Sequence, residues 1–123
     1  RKIQAGADFI LTQPIFSPDT AIHFKKSYQN KYGPVPIPIL MGVLPLFNAR
    51  HASFLHHEVP GIDIPEEPRV RMEKAGEKGS AEGVSIAMEL ISAMRPHIQG
   101  VYFMPAFGHY ELVSEIIERS SGI

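Results

Sequence analysis

Four side chains that can exchange hydrogen bonds with an uncharged ligand follow predicted strands: Gln13, Asn48, His51 and His109. Gln13 comes two positions after the apolar run 9–11, which places its amide at the carboxyl end of a strand, where α/β folds hold their ligands. An amide carries both a donor and an acceptor, which suits an aromatic heterocycle with amide-like edges. The competing interpretation, that Gln13 only stabilises a turn, stays open at this point.

The remaining histidines do not form a metal-binding pattern. On a helix, His56 and His57 would project about 100° apart, and His51 would not align with His56. His23 and His97 are assigned no role. Because the chain has no cysteine, disulfides, thiolate nucleophiles and cysteine-ligated metals are excluded. We therefore expect no metal site.

Three apolar runs, at residues 9–11, 39–44 and 101–104, alternate with helical patterns. This alternation predicts an α/β fold of about three βα units with parallel strands. The first run has no helical period and is expected to be buried on both faces. Parallel strands end at one edge of a sheet, so the segments 12–13, 44–51 and 104–109 are expected to meet there.

Helix signals support the same plan. Two helices are predicted to begin at Ser17, which precedes Pro18, and at Asn48. The first of them is predicted to end at Gly33. The apolar stripe of that first helix consists of Ala21, Phe24 and Tyr28. The charged segment 66–75 predicts an exposed helix, and two further amphipathic helices are predicted from residue 80 and around residues 112–117.

The composition is that of an ordinary globular domain, with 123 residues, 44% hydrophobic, 20% charged and a net charge of -1. The sequence contains no block of basic residues that would indicate nucleic-acid binding. It also contains no apolar stretch long enough to span a membrane. A cytoplasmic location is expected. A (β/α)8 barrel takes about 250 residues. Since the chain opens at Arg1 in what looks like the end of a helix, we expect residues 1–123 to be a partial barrel domain without its N-terminal half.

Short motifs along nearly the whole chain resemble the C-terminal half of the methylenetetrahydrofolate reductase family. They are Lys2-x3-Gly6-Ala7, Thr12-Gln13, Gly42-Val43-Leu44-Pro45 and Gly83-x2-Ile86-Ala87-x-Glu89-Leu90. Residues 59–67 and 104–110 are similar to the branch in which the reductase follows a homocysteine S-methyltransferase module. The resemblance implies the C-terminal portion of a TIM (β/α)8 barrel.

The resemblance also implies an oxidoreductase of one-carbon and methionine metabolism. In this family, NAD(P)H reduces a bound FAD, which passes hydride to 5,10-methylenetetrahydrofolate and gives 5-methyltetrahydrofolate. Arg1 and Lys2 match basic residues that contact FAD, and Gln13 matches the amide that recognises the folate pterin. His51 falls where some members have a folate-binding glutamine.

Three further features follow from the resemblance. Leu55 and Phe107 fall at apolar positions that flank the folate. His109 falls where the family commonly has arginine, so an imidazole replaces a guanidinium group that is always charged. No catalytic residue is expected in this fragment, because the acidic residue near the folate ring belongs to the N-terminal half. The isolated chain is expected to be inactive.

Two other interpretations remain at the level of sequence. In the first, the chain is a non-catalytic half-barrel that associates with itself or another chain, since three βα units leave two sheet edges and an apolar inner face uncovered. Alternatively, it belongs to another TIM-barrel enzyme, a lyase or a methyltransferase, that shares only the scaffold. As partners of the chain we expect a folate and either further copies of itself, in a homo-oligomer, or the missing N-terminal half.

Overall fold

The computed structural model describes residues 5–120 and contains a three-stranded parallel sheet with helices packed against it. The strands are β1 (Ile10–Pro14), β2 (Ile39–Val43) and β3 (Gly100–Phe103), in the order β1-β2-β3. The helices are α1 (Pro18–Tyr32), α2 (Ala49–Glu58), α3 (Glu66–Ala75), α4 (Gly79–Met94) and α5 (Tyr110–Ser120). The predicted α/β class with parallel strands is confirmed. No helix within this range is long and apolar enough to cross a membrane.

The predicted helix caps are confirmed. Ser17 Oγ accepts a hydrogen bond from the Thr20 N–H at 3.4 Å, and Asn48 Oδ1 accepts one from the His51 N–H at 2.7 Å. Gly33 ends α1 at φ 83°, a left-handed conformation that glycine adopts without strain. These local signals fix where the helices begin relative to the strand ends.

The pairing of β1 with β2 is irregular at its carboxyl end. Leu11 pairs with Leu40, but Pro14 pairs with Gly42, so β1 has one extra residue in this interval. Thr12, inside the irregularity, accepts a hydrogen bond from the Gly42 N–H through its hydroxyl at 2.9 Å. An extra residue of this kind changes the direction of the side chains around it.

Gly42 has no room for a side chain. A Cβ there would lie 2.9 Å from Tyr102 Oη and 3.1 Å from Thr12 O. The Tyr102 hydroxyl crosses β2 at this point and donates a hydrogen bond to Thr12 O. The three strands are therefore tied together at the position immediately before Gln13.

Two buried clusters form the core. The first lies between β2, α4 and α5 and consists of Met41, Val43, Val84, Ala87, Leu90, Ile91, Met94, Leu112 and Ile116. The second joins α2, α3 and α4 to the strand ends and consists of Phe16, Leu46, Ala52, Leu55, Ile64, Met72 and Ile86. Because α4 contributes to both clusters, it is the central helix. The helix predicted to be exposed, α3, buries Met72 completely.

One expectation about burial is wrong, and one apolar stripe lacks a covering element. Phe9 and Leu11 are each 54% exposed, so the first strand is not buried on both faces. The physical reason is that no element within residues 5–120 covers the face of the sheet that carries Leu11. Helix α1 buries none of its residues, and Phe24 of its apolar stripe is 72% exposed. Apolar spacing aligns side chains on one face, but it does not supply the element that covers them.

Candidate functional site

The loops that follow β2 and β3 bring four rings together, and we call this group the ring cluster: Phe47, His51, Phe107 and His109. Phe47 lies at its centre, stacked at 4.2 Å between ring centroids on His51 and at 4.2 Å on His109. Phe107 approaches Phe47 edge-on at 6.2 Å and His51 at 5.9 Å. The predicted meeting of segments 44–51 and 104–109 is confirmed. Segment 12–13 was also expected there, but Gln13 borders a groove that no member of the ring cluster lines.

Helix α4 supports the loop that carries Phe47. A Cβ at Gly83 would lie 1.6 Å from Leu46 O, and a Cβ at Gly79 would lie 2.6 Å from Phe47 O. The two glycines are one helical turn apart and therefore lie on the same face of α4. Their missing side chains let the backbone of the loop rest directly on the helix.

His51 is a buried imidazole with an unused hydrogen-bonding atom. The residue is 4% exposed, and its Nδ1 has no partner among residues 5–120. Burial, and secondarily the nearby His109, lower the pKa of His51 to about 4. The ring is therefore neutral at pH 7, with one nitrogen as donor and the other as acceptor. Since buried polar atoms are nearly always paired, the unpartnered Nδ1 is an exception among the described residues.

His109 has a carboxylate partner. Its Nδ1 lies 3.0 Å from Glu111 Oε1. The pKa of Glu111 is lowered, first by the hydrogen bond from its own backbone N–H and then by His109. The ionised carboxylate can hold the imidazole of His109 in position while Phe47 stacks on the ring.

Gln13 lies apart from the ring cluster. It borders an apolar groove of about 470 Å³ between α1 and β1, whose lining includes no member of that cluster. The amide lies against Gly61, where a Cβ would be 2.7 Å from Gln13 Oε1. Within residues 5–120 the side chain of Gln13 makes no hydrogen bond. Its donor and acceptor are therefore free for a ligand.

The other predicted site residues are placed differently. Leu55 is 7% exposed and packs in the second buried cluster, so its contact with a folate stays a prediction. Arg1 and Lys2 lie outside the described residues. His56 and His57 contact each other edge-to-face at 4.8 Å. Over the range 5–120, no group of three or more potential ligands is arranged to hold a metal ion.

Three residues that shape the site were not singled out from the sequence: Phe47, Gly61 and Glu111. The sequence signal that could have indicated Phe47 is its position before a capping asparagine, in a loop that follows a strand. Gly61 follows Pro60, a pair typical of a tight turn. Glu111 is two positions from His109, which is the only sequence indication of their pairing.

Comparisons with known proteins match this chain to one family and to solved structures. The profile of the family described as "Methylenetetrahydrofolate reductase" matches residues 1–121. A solved structure from Clostridium thermocellum, described as an uncharacterized protein that binds two copies of 5-methyl-5,6,7,8-tetrahydrofolic acid, is similar with a TM-score of 0.60 at 20% identity. The match covers 94% of this chain and 43% of that chain, so the present chain spans less than half of its structural relative. Among curated proteins, no sequence matched.

Proposed function

Because this chain belongs to the methylenetetrahydrofolate reductase family, we propose that it forms part of an enzyme that reduces 5,10-methylenetetrahydrofolate to 5-methyltetrahydrofolate. In this proposal NAD(P)H supplies the electrons through FAD. The residues of this chain bind and orient the pterin of the folate. The C. thermocellum protein, which has a similar fold and binds a methylated tetrahydrofolate, supports folate as the ligand class.

The observation that carries the proposal is the free amide of Gln13. It stands at the carboxyl end of β1 and has no hydrogen-bond partner among the described residues. A pterin edge presents N–H donors beside ring and carbonyl acceptors. An amide can match such an edge with its Oε1 accepting and its NH2 donating. Gln13 then holds the pterin in the plane of its own amide.

The ring cluster supplies the second contact. His51 is neutral and offers one donor and one acceptor, which partly reproduces the amide of the glutamine found in some relatives. Phe107 is 76% exposed, so its face is open to stack on a flat heterocycle. His109, held by Glu111, provides a further polar group at this end of the ligand. Leu55 is proposed to flank the folate from α2.

A flavin, when bound, supplies the hydride transfer between NAD(P)H and the folate. Arg1 and Lys2 are this chain's proposed contacts to it, since two cations suit the pyrophosphate of FAD. The described residues act on the folate instead. Gln13 is proposed to bind the pterin through its uncharged amide. His51, which lies apart from Gln13, is proposed to contact another part of the folate, where Phe47 and Phe107 exclude water.

The test uses the complete protein that contains these residues. Purified protein should have the absorbance spectrum of an oxidised flavin. NADH or NADPH should bleach this spectrum under anaerobic conditions, and 5,10-methylenetetrahydrofolate should then restore it. Colourless protein that FAD does not reconstitute, or reduced flavin that the folate does not reoxidise, would contradict the proposal.

A second candidate, a non-catalytic association module, is favoured by one observation. The edge of β1 is open, and Phe9 and Leu11 beside it are each 54% exposed. Unpaired strand edges recruit further strands, and closed barrels remove such edges. We propose that further βα units cover this edge in the enzyme, whereas in the alternative a second copy of the chain does so.

A further inference from the structure

The contact between Gln13 and Gly61 belongs to a tight turn that joins α2 to α3. The Ile62 N–H donates a hydrogen bond to Val59 O at 3.3 Å, which closes a four-residue turn. Pro60 and Gly61 are its central residues, and Gly61 has φ 86°. This combination is that of a type II turn, whose third residue needs a positive φ.

The turn is anchored on both sides. After it, Ile64 is completely buried, and its N–H donates a hydrogen bond to His56 Nδ1 on α2 at 3.1 Å. Ile64 O accepts a hydrogen bond from Arg69 Nε on α3 at 2.9 Å. Because these bonds fix the connector to two helices, the turn presents Gly61 to Gln13 from a defined direction.

We infer that Gly61 is a positioning residue for Gln13 and determines whether this amide can meet a flat nitrogen heterocycle. Two observations support this role. Gln13 is exposed and its amide has no hydrogen bond within residues 5–120, so only neighbouring groups such as Gly61 limit where the amide lies. The bare Cα of Gly61 leaves the space that Gln13 Oε1 uses, since a Cβ would approach to 2.7 Å. The inference rests on the proposed function, because Gln13 is there the pterin contact.

The chain contains a control for an alanine placed at positive φ. Gly33 has nearly the same φ as Gly61, 83° against 86°, but a Cβ at Gly33 would meet nothing within 4 Å. Because the ψ of Gly33 is -174°, unlike that of the third residue of a type II turn, the two alanines differ in backbone strain and only their folate binding is compared. In the complete protein, isothermal titration with 5-methyltetrahydrofolate should give about tenfold weaker binding for Gly61→Ala. Gly33→Ala should bind like the wild type. Equal binding by Gly61→Ala and wild type, or equal weakening in both variants, would overturn the inference.

A double substitution separates this inference from the proposed function. In a Gln13→Ala background, Gly61→Ala should weaken folate binding no further, and its loss in melting temperature should be smaller than in the wild-type background. If Gln13→Ala alone leaves folate binding unchanged, the proposed function of Gln13 is wrong, while the shrinking loss in melting temperature still supports positioning. If the losses in melting temperature caused by Gln13→Ala and Gly61→Ala add up in the double variant, Gly61 does not position Gln13, whatever the folate affinities are.

Discussion

Burial of the His51 imidazole couples the ring cluster to folding stability. Its pKa is about 4 in the folded protein, against an ordinary value of 6.5. Between these values the unfolded chain binds a proton at His51 and the folded chain does not. Stability is therefore greatest above pH 6.5, falls as the pH drops towards 4 and is constant below, as far as this group is concerned.

His51→Gln should remove this component of the pH dependence. The pKa shift of His51 corresponds to at most about 3 kcal/mol in the free energy of unfolding. Solvent screening reduces the expected contribution to about 1–2 kcal/mol. Urea unfolding at pH 7 and near pH 4 should therefore show a smaller loss of stability in the variant than in the wild type. The carboxylates titrate in both proteins and cancel in the comparison. Identical losses would mean that His51 is not the group responsible.

At the residue scale, the sequence predicts the polar members of the site better than their arrangement. His51, Phe107 and His109 come together as their strand-end positions indicate. Phe47, which joins them, was missed because an apolar side chain in a loop carries no chemical signal of its own. Gln13 borders a separate groove, and the irregular register of β1 beside it is specified by no sequence pattern.

At the element scale, α4 holds the ring cluster in place through its glycines. Its face carries Gly79 and Gly83 towards the backbone of residues 46–48, and its other apolar residues fill both buried clusters. A helix with this double role transmits any local displacement to the loop that carries Phe47.

Gly83→Ala should be among the most destabilising single substitutions in the chain. The new Cβ would have to displace the backbone at Leu46 O, 1.6 Å away, so we expect a loss of about 3 kcal/mol or more. Ser80→Ala, at an exposed position of the same helix, is the control and should change stability by less than about 0.5 kcal/mol. Chemical denaturation measures both, and similar values for the two variants would contradict the close packing of α4 on the loop.

Arg71 links α3 to α4 through two carboxylates. Its guanidinium lies 2.7 Å from Glu82 Oε1 and makes paired hydrogen bonds with Glu89 at 2.9 and 2.7 Å. This bond lowers the pKa of Glu89, so the stabilisation is present above the ordinary pKa of 4.5 and is lost as the pH falls through the lowered value.

Arg71→Gln should cost about 1 kcal/mol at low salt, and less at high salt, because the pairs are partly exposed. Arg119→Gln provides the control, since Arg119 has one exposed partner, Glu115, at 3.4 Å. We expect only a few tenths of a kcal/mol there. Thermal unfolding at two salt concentrations would test this pair, and an equal, salt-independent effect of both substitutions would contradict the bridging role of Arg71.

The elements themselves could largely be predicted from the sequence, because caps and apolar runs are local. Ser17 and Asn48 begin helices as predicted, and each strand overlaps its predicted run, although β1 extends to Pro14, three residues beyond the run 9–11. Burial could not be predicted in the same way. The exposed Leu11 and the buried Met72 depend on which elements pack against them, and this is a property of the whole fold.

At the scale of the whole molecule, the main feature of the described structure is the unpaired edge of β1. Its apolar residues Phe9 and Leu11 resemble those of a strand buried on both faces, yet both are more than half exposed. The local sequence is therefore suited to a closed sheet, in agreement with the similarity of the chain to 43% of a larger structure.

The isolated chain should therefore self-associate through this edge. Leu11→Lys places a charge on it and should shift the chain towards monomer in sedimentation velocity. Ile117→Lys is a matched control, because Ile117 is also an exposed apolar residue, 49% exposed, but lies on α5. A wild-type chain that stays monomeric at all concentrations, or an equal effect of both substitutions, would contradict a role for the edge.

The central claim is that Gln13 binds the pterin of a folate. The most direct measurement is the equilibrium affinity of the complete protein for 5-methyltetrahydrofolate, compared between the wild type and Gln13→Glu. The substitution keeps the size of the side chain but replaces its donor with a second acceptor. We predict binding at least about tenfold weaker, with unchanged thermal stability. Equal affinities would contradict the account.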